Sequence, residues 1–186
     1  MLPITIDAAR VRIALIGNGE AARRRLALLD DAGATRVEVY AEAPLAALAA
    51  AAGERLRRRL PTAEEIARAQ LVFLARLGEP AASQLRHIAD SAGVLLNVED
   101  EIARSDFHSP AMVRRGDLTV AISTAGKSPG LAAAIRRRIE ASFGPEWDAR
   151  LENIALLRRR WRLAGHENAT IARLTTIWFD RYPASR

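Results

Sequence analysis

The segment nearest the N-terminus with residues suited to binding chemistry is a glycine-rich loop of the form G-x-G-x-x-A. It reads Gly17-Asn18-Gly19-Glu20-Ala21-Ala22 and stands between an apolar run and an amphipathic segment. The first glycine permits a tight turn, the second lets backbone approach a pyrophosphate, and the small alanine lets a helix pack closely on a strand. Free N–H groups at the start of that helix would face the phosphates. The loop therefore predicts dinucleotide binding, with a tight turn that holds no ligand as the alternative.

A dinucleotide site of this kind also needs an acidic residue after its second strand, about 20 residues further on, to bind the ribose hydroxyls. Two residues qualify, Glu38 and Glu42. Glu38 falls inside the predicted strand and is expected to point at solvent, whereas Glu42 lies just past its end. Glu42 is therefore the preferred candidate and favours NAD over NADP. An equally open alternative is that Glu42 only places a charge at the start of the following helix.

Polar residues also follow the fifth apolar run of the chain. The sequence there is Asn97-Val98-Glu99-Asp100-Glu101. If residues 94–98 form a strand of a parallel sheet, these side chains emerge at the carboxyl edge of the sheet, where ligands of open α/β sheets bind. The segment is thus a second candidate part of a site.

Alternating strands and helices must position these residues. Apolar runs predict strands at residues 11–17, 36–40, 71–75 and 94–98, with a short edge strand near 55–59. Helices are predicted at residues 20–31, 45–52, 62–69 and 80–92, the third of them opened by a capping box of Thr62 and Glu65. This alternation implies a parallel sheet with right-handed crossovers.

The alternation stops after about residue 100. Two strands are predicted at residues 111–115 and 118–124, then a helix at 129–142 and a helical tail in two pieces. The fold class is α/β, with an N-terminal Rossmann-like parallel sheet, a small mixed α/β segment and a helical C-terminal tail. The predicted domains are residues 1–110, 111–143 and 144–186.

Composition narrows the class of protein. The chain has 186 residues, no cysteine, and 28 Lys plus Arg against 22 Asp plus Glu. The absence of cysteine excludes disulfides, thiolate metal sites and a cysteine nucleophile. No apolar run approaches the roughly 20 residues of a membrane helix, and the N-terminus lacks the pattern of a signal peptide. We therefore expect a soluble, cytoplasmic protein that does not bind a membrane.

The net charge of +6 raises the question of a nucleic-acid partner. Lys127 is the only lysine, and the arginines cluster at residues 23–25, 57–59, 136–138 and 158–160. An arginine skew of this kind is also typical of a GC-rich genome. Aromatic residues make up only 5% of the chain, and none interleave with the clusters to form a stacking platform. Nucleic-acid binding is therefore not expected.

Four motifs occur together in a fixed order: the loop at residues 17–22, then 97–100, 106–111 and 123–129. This combination resembles the precorrin-2 dehydrogenase / sirohydrochlorin ferrochelatase family, which includes the N-terminal region of siroheme synthase. The resemblance covers nearly the whole chain. It implies oxidation of the tetrapyrrole precorrin-2 to sirohydrochlorin with NAD, and in some members a lyase reaction that inserts ferrous iron. It also implies a homodimer built largely from the segment 111–143.

The resemblance also implies roles for single residues. The family's catalytic aspartate falls on Asp100, where a carboxylate could accept a proton during hydride removal or metal insertion. Alternatively, Asp100 only caps the following turn. The family's serine before proline, a phosphorylation or substrate position in some members, falls on Ser128. Because the substrate is a polycarboxylate, the nearby cations are expected to bind it. The substrate-binding candidates are Asn97, His108, Arg114, Arg115, Ser123, Lys127 and Ser128.

Two departures from the family pattern stand out. Residues 74–78, Leu-Ala-Arg-Leu-Gly, replace a segment that usually reads Ala-Thr followed by Asp or Asn near the cofactor. Ser105 replaces a usual cysteine, and we expect little effect. The first departure motivates an alternative function, a non-catalytic relative that binds dinucleotide or tetrapyrrole as a sensor or chaperone. The three histidines lack a metal-ligand spacing, so no metal site is expected and iron insertion is left open.

Overall fold

The computed structural model describes residues 2–182, and the chain divides into two compact units. The first unit, through His108, contains a parallel sheet of five strands in the order β3-β2-β1-β4-β5. The strands are β1 Ile13–Gly17, β2 Val37–Tyr40, β3 Leu56–Arg57, β4 Leu71–Ala75 and β5 Leu95–Val98. The helices are α1 Gly19–Asp31, α2 Ala46–Ala52, α3 Ala63–Arg68 and α4 Ala81–Ala92.

The central strands of this sheet explain the apolar runs in the sequence. Every residue of β1 and β4 is buried, because helices cover both faces of a doubly wound sheet. Leu26 and Leu29 of α1 pack in the core on one face, and Ile66 of α3 and Leu85 of α4 pack on the other. The order of connection reverses between β1 and β4, which is the point where such sheets bind ligands.

Local signals set the helix ends of the first unit. The predicted capping box at α3 is present, since Thr62 Oγ1 accepts from the Glu65 N–H at 3.3 Å and Glu65 accepts from the Thr62 N–H at 2.8 Å. Gly93 ends α4 in the left-handed conformation at φ +67°.

The second unit begins at Ser109 and holds a hairpin and three helices. The elements are β6 Ala111–Arg115, β7 Leu118–Ile122, α5 Pro129–Ser142, α6 Trp147–Leu163 and α7 Asn168–Phe179. Gly116 forms the hairpin turn at φ +56°, and a side chain there would collide with the carboxylate of Asp148. A small core of Trp147, Ile154 and Trp178 joins the helices. The predicted fold class is confirmed, and the further division at residue 143 stays a prediction.

Candidate functional site

The glycine-rich loop connects β1 to α1 and touches the end of β4. Gly17 has φ +141°, and a Cβ atom there would lie 2.0 Å from the Ala75 carbonyl oxygen. The Asn18 N–H also donates to that oxygen, at 3.4 Å. Glycine is therefore required at position 17 by the close approach of β4, in addition to the tight turn that the sequence predicted.

The second glycine leaves the start of α1 open. Gly19 has φ +74°, and a side chain there would meet only the Leu45 Cδ1 atom, at 4.0 Å. Ala21 and Ala22 are buried against the sheet, so the helix packs closely on it as the motif predicts. The Glu20 carboxylate accepts two hydrogen bonds of 2.7 Å from Arg23, which lower the pKa of Glu20. This ion pair offsets the one acidic charge in the first turn of α1.

Asn18 ties this loop to the loop between β2 and α2. Its Oδ1 atom accepts from the Gly19 N–H at 2.7 Å and from the Leu45 N–H at 2.9 Å. Its Nδ2 group donates to the Ala43 carbonyl. The side chain predicted to bind the cofactor therefore caps α1 and fixes the loop that carries Glu42.

The two acidic candidates for ribose binding differ in their surroundings. Glu38 is engaged on the sheet surface, where it accepts from Tyr40 Oη at 2.7 Å and from Arg57 at 3.2 Å. Burial and this hydrogen bond raise the pKa of Tyr40. Glu42 is exposed, lies ahead of the α2 cap at Leu45, and is outside the first turn of α2, which contains no acidic residue. The helix-charge alternative for Glu42 therefore has no support, and Glu42 stays the predicted ribose ligand.

A cleft of about 210 Å³ opens at the carboxyl ends of β1, β2 and β4. Because this is the point where the strand order reverses, the cleft lies where the fold predicts a nucleotide. It is lined by Gly17, Asn18, Tyr40, Ala41, Glu42, Ala43, Leu60, Arg76 and Leu77. The segment that departs from the family pattern thus contributes Arg76 and Leu77 to the candidate site.

Asp100 lies at the turn after β5. It has a left-handed backbone at φ +63°, and its side chain is exposed. Within residues 2–182 its carboxylate has no hydrogen bond or ion pair, and the turn is closed instead by the Glu101 N–H, which donates to the Val98 carbonyl at 3.2 Å. The capping alternative therefore has no support, and the carboxylate is available to a ligand.

Ser105 holds the loop that carries Asp100. Its Oγ atom accepts from the Val98 N–H at 2.9 Å and lies 2.9 Å from the Glu101 carbonyl oxygen, to which it can donate. The hydroxyl thus joins the two ends of the loop. Sequence reasoning, which expected little effect at this position, missed these bonds because only the folded loop brings their partners together.

Other residues of the family motifs form hydrogen bonds within the first unit. Asn97 is buried, and its amide donates to the Phe107 carbonyl at 2.8 Å. Asp106 accepts from the Leu96 N–H and from Arg86, both at 2.8 Å, so it anchors the segment to β5 and α4. His108 is half-buried at the end of the unit. Substrate binding by Asn97 and His108 stays a prediction.

The remaining substrate candidates all lie in the second unit. Arg114 is exposed on β6, and Arg115 donates through Nε to the Phe143 carbonyl at 2.7 Å. The Arg115 guanidinium therefore already has a partner within the unit. A role for either arginine in substrate binding stays a prediction.

The loop between β7 and α5 contains Ser123, Lys127 and Ser128. The strand predicted to reach residue 124 ends at Ile122, because Thr124 Oγ1 accepts from the Ser128 N–H at 3.2 Å and closes the loop. Ser128 caps α5 by accepting from the Leu131 N–H at 3.2 Å. Lys127 and Ser123 are exposed. Their roles in substrate binding, and that of Ser128, stay predictions.

Two further classes of feature are absent from the part of the chain that the structure describes. No helix among residues 2–182 is long and apolar enough to cross a membrane. In the same residues, no three His, Asp or Glu side chains are grouped so that they could hold a metal ion.

The chain is similar to known proteins over almost its whole length. Residues 4–111 match the family described as "Putative NAD(P)-binding", and residues 115–142 match the family described as "Sirohaem biosynthesis protein central". The siroheme synthase of Methylococcus capsulatus is 34% identical over 88% of this chain, and that of Gluconobacter oxydans is 33% identical over 96%. The chain spans 35% and 38% of those two proteins.

A solved structure shares the fold. The protein named "SirC, precorrin-2 dehydrogenase" superposes with a TM-score of 0.75 at 21% sequence identity. The match covers 98% of this chain and 91% of that chain. The likeness therefore extends over both units of the fold.

Proposed function

Because the chain belongs to the family of the NAD(P)-binding and central regions of siroheme synthase, we propose that it oxidises precorrin-2 to sirohydrochlorin with NAD. The observation that carries this proposal is that the nucleotide cleft and the exposed Asp100 carboxylate both follow strands at one edge of a single sheet. The similar solved structure, whose name is that of a precorrin-2 dehydrogenase, agrees with it.

The residues present fit a dinucleotide. Gly19 leaves the start of α1 open to a phosphate, and Glu42 is free of the hydrogen bonds that engage Glu38. A carboxylate at this position binds the two hydroxyls of an unmodified ribose and repels a 2′-phosphate, which is the basis for NAD rather than NADP. When bound, NAD supplies the acceptor for a hydride.

Asp100 acts as the base of the reaction. Oxidation of precorrin-2 by NAD removes one hydride and one proton from the macrocycle, so the proton needs an acceptor. The Asp100 carboxylate is exposed and carries no hydrogen bond in the described chain, and the Ser105 hydroxyl fixes the loop beneath it. The same carboxylate is suited to accept pyrrole protons during iron insertion, the second reaction that we propose.

Positively charged side chains would bind the carboxylate arms of the substrate. Arg114, Arg115 and Lys127, all in the second unit, are proposed to bind them. We further propose a cytoplasmic homodimer formed through residues 111–143, as in the family.

One assay tests the proposed function. Purified protein is mixed with precorrin-2 and NAD, and NADH formation is followed by its absorbance. Asp100→Asn keeps the left-handed backbone, which asparagine tolerates, and should lower turnover about 100-fold or more with an unchanged Tm. The matched control is Asp117→Asn, on the exposed hairpin turn.

The outcomes separate the proposal from its rival. NADH formation by the wild-type chain supports the dehydrogenase, and near-normal turnover of Asp100→Asn removes Asp100 from the catalytic role. NAD binding without NADH formation favours the non-catalytic sensor or chaperone. Iron insertion is tested in parallel by adding Fe²⁺ to sirohydrochlorin and following its absorption spectrum.

A further inference from the structure

We propose that Arg76 binds the pyrophosphate of the dinucleotide and is a cofactor-affinity residue that the family pattern does not supply. This inference rests on the dinucleotide binding proposed above. Arg76 lines the cleft at the end of β4, in the segment where the family usually has Ala-Thr followed by Asp or Asn. The replacement puts a positive charge where the usual residues carry none or a negative one.

The guanidinium of Arg76 is not engaged elsewhere in the described chain. Its side chain is exposed, and no hydrogen bond or ion pair to residues 2–182 involves it. Several other arginines of the first unit are paired with carboxylates. Examples are Arg23 with Glu20, Arg55 with Asp30, Arg57 with Glu38, Arg59 with Glu65 and Arg86 with Asp106. Arg76 therefore offers the cleft a cation with all its donors open.

The position of Arg76 in the sheet points to the pyrophosphate. Gly17 and Ala75 are paired across β1 and β4, and the Asn18 N–H donates to the Ala75 carbonyl at 3.4 Å. Arg76 is thus one residue from the contact between β4 and the glycine-rich loop. Because the pyrophosphate of a dinucleotide lies over that loop, a guanidinium fork at this place can form paired hydrogen bonds with it.

The charges around the cleft favour the same assignment. Glu42 lines the cleft as well, yet within residues 2–182 it forms no ion pair with Arg76. The two side chains therefore offer separate groups, a carboxylate for ribose hydroxyls and a guanidinium for phosphate. NADP also carries a 2′-phosphate on its ribose. That phosphate would approach the Glu42 carboxylate and be repelled.

The backbone at Arg76 gives the means to test its side chain separately from folding. Its φ of +54° is a conformation that side chains other than glycine rarely adopt. Replacing Arg76 with glycine therefore removes the guanidinium and relaxes the backbone together. Arg76→Ala keeps the left-handed backbone of a non-glycine residue, so loss of a structural contact would lower its Tm, whereas loss of a phosphate ligand would lower affinity alone.

The experiment measures ligand affinity by calorimetry for NAD, ADP-ribose, NADP and adenosine. The variants are Arg76→Gly, Arg76→Ala and Arg76→Lys, with Arg36→Ala as the matched control because Arg36 is exposed and precedes β2 at the opposite edge of the sheet. We expect Arg76→Gly and Arg76→Ala to bind NAD and ADP-ribose roughly tenfold more weakly, and adenosine as the wild type does. Arg76→Lys should recover part of the affinity, and Tm should not fall for Arg76→Ala.

Each other outcome overturns the inference. Unchanged NAD and ADP-ribose affinity in Arg76→Gly shows that the side chain is not a ligand, while the proposed function stands. A loss confined to NADP assigns Arg76 to a 2′-phosphate, and an equal loss for adenosine assigns it to the base. Absence of NAD and ADP-ribose binding by the wild-type chain overturns the proposed function and this inference together.

Discussion

Ser105 and Val98 are hydrogen-bonded across the base of the loop that carries Asp100. The Val98 N–H donates to Ser105 Oγ at 2.9 Å, and the same hydroxyl lies 3.1 Å from the Val98 carbonyl oxygen. One side chain thus replaces the strand partner that the end of β5 lacks. The loop above it presents Asp100 in a left-handed conformation.

Ser105→Ala should disturb this loop without affecting the nucleotide site. It leaves the Val98 N–H without a partner, which costs about 1–3 kcal/mol of the free energy of unfolding. We expect turnover of precorrin-2 to fall roughly tenfold while NAD affinity is unchanged. Urea unfolding, turnover and calorimetry check the three parts, with Ser91→Ala on the exposed face of α4 as control. Ser105→Cys should restore part of the turnover, and failure of any restoration would count against a positioning role.

Glu42→Gln should change the choice of cofactor. Removal of the carboxylate weakens the ribose contact and abolishes repulsion of a 2′-phosphate, so NAD affinity should fall about tenfold and NADP affinity should rise. Glu38→Gln is the matched control, because Glu38 is held by Tyr40 and Arg57. A change of preference in Glu38→Gln instead of Glu42→Gln would transfer the ribose contact to Glu38.

Gly19→Ala and Gly33→Ala form a matched pair that isolates ligand contact from backbone strain. Their φ values are +74° and +76°, and neither position has a close neighbour. Each alanine should cost about 1–2 kcal/mol of stability through its left-handed backbone. Only Gly19→Ala should also lose dinucleotide binding, since its methyl group occupies the open space at the start of α1. Equal NAD affinity in the two variants would contradict the placement of the phosphates.

Glu65 makes the stability of the first unit depend on pH. Hydrogen bonds from Arg59 and from the Thr62 N–H lower the pKa of Glu65 from 4.5 to about 2. A lowered folded-state pKa stabilises the protein above the unfolded pKa, and that stabilisation is lost as the pH falls through about 2. The stability difference between wild type and Glu65→Gln should therefore be constant from neutral pH to about pH 5 and shrink below it.

Urea midpoints measured across this pH range check the prediction. Glu64→Gln is the control, because Glu64 lies in the same first turn of α3 and is exposed. A difference between wild type and Glu65→Gln that stays constant down to about pH 2 would show that the ion pair with Arg59 does not form in solution.

Elements with strong local signals were predictable from the sequence. The strand at Leu71–Ala75 is a buried apolar run with polar residues on both sides, and the helix at Pro129–Ser142 starts with a serine cap and a proline. Their bounds match the prediction to the residue. The glycine-rich loop was predictable for the same reason, because its spacing is a local property.

Contacts between distant residues were not predictable. The sequence already preferred Glu42 over Glu38, but the hydrogen bond between Arg57 and Glu38 depends on the pairing of β2 with β3. The bond of Arg115 to the Phe143 carbonyl likewise depends on how α5 packs on the hairpin. Periodicity says which face a residue occupies, whereas hydrogen-bond partners follow from tertiary structure.

The hydrogen bonds of Asn18 have a thermodynamic consequence. By joining Gly19 to Ala43 and Leu45, one amide holds the glycine-rich loop and the loop with Glu42 in a fixed arrangement. The conformational entropy of aligning the two loops is then lost when the chain folds and not when a ligand arrives. Fragments such as adenosine and pyrophosphate should therefore meet a pre-organised surface, and joining them in one molecule should raise affinity without any new contact.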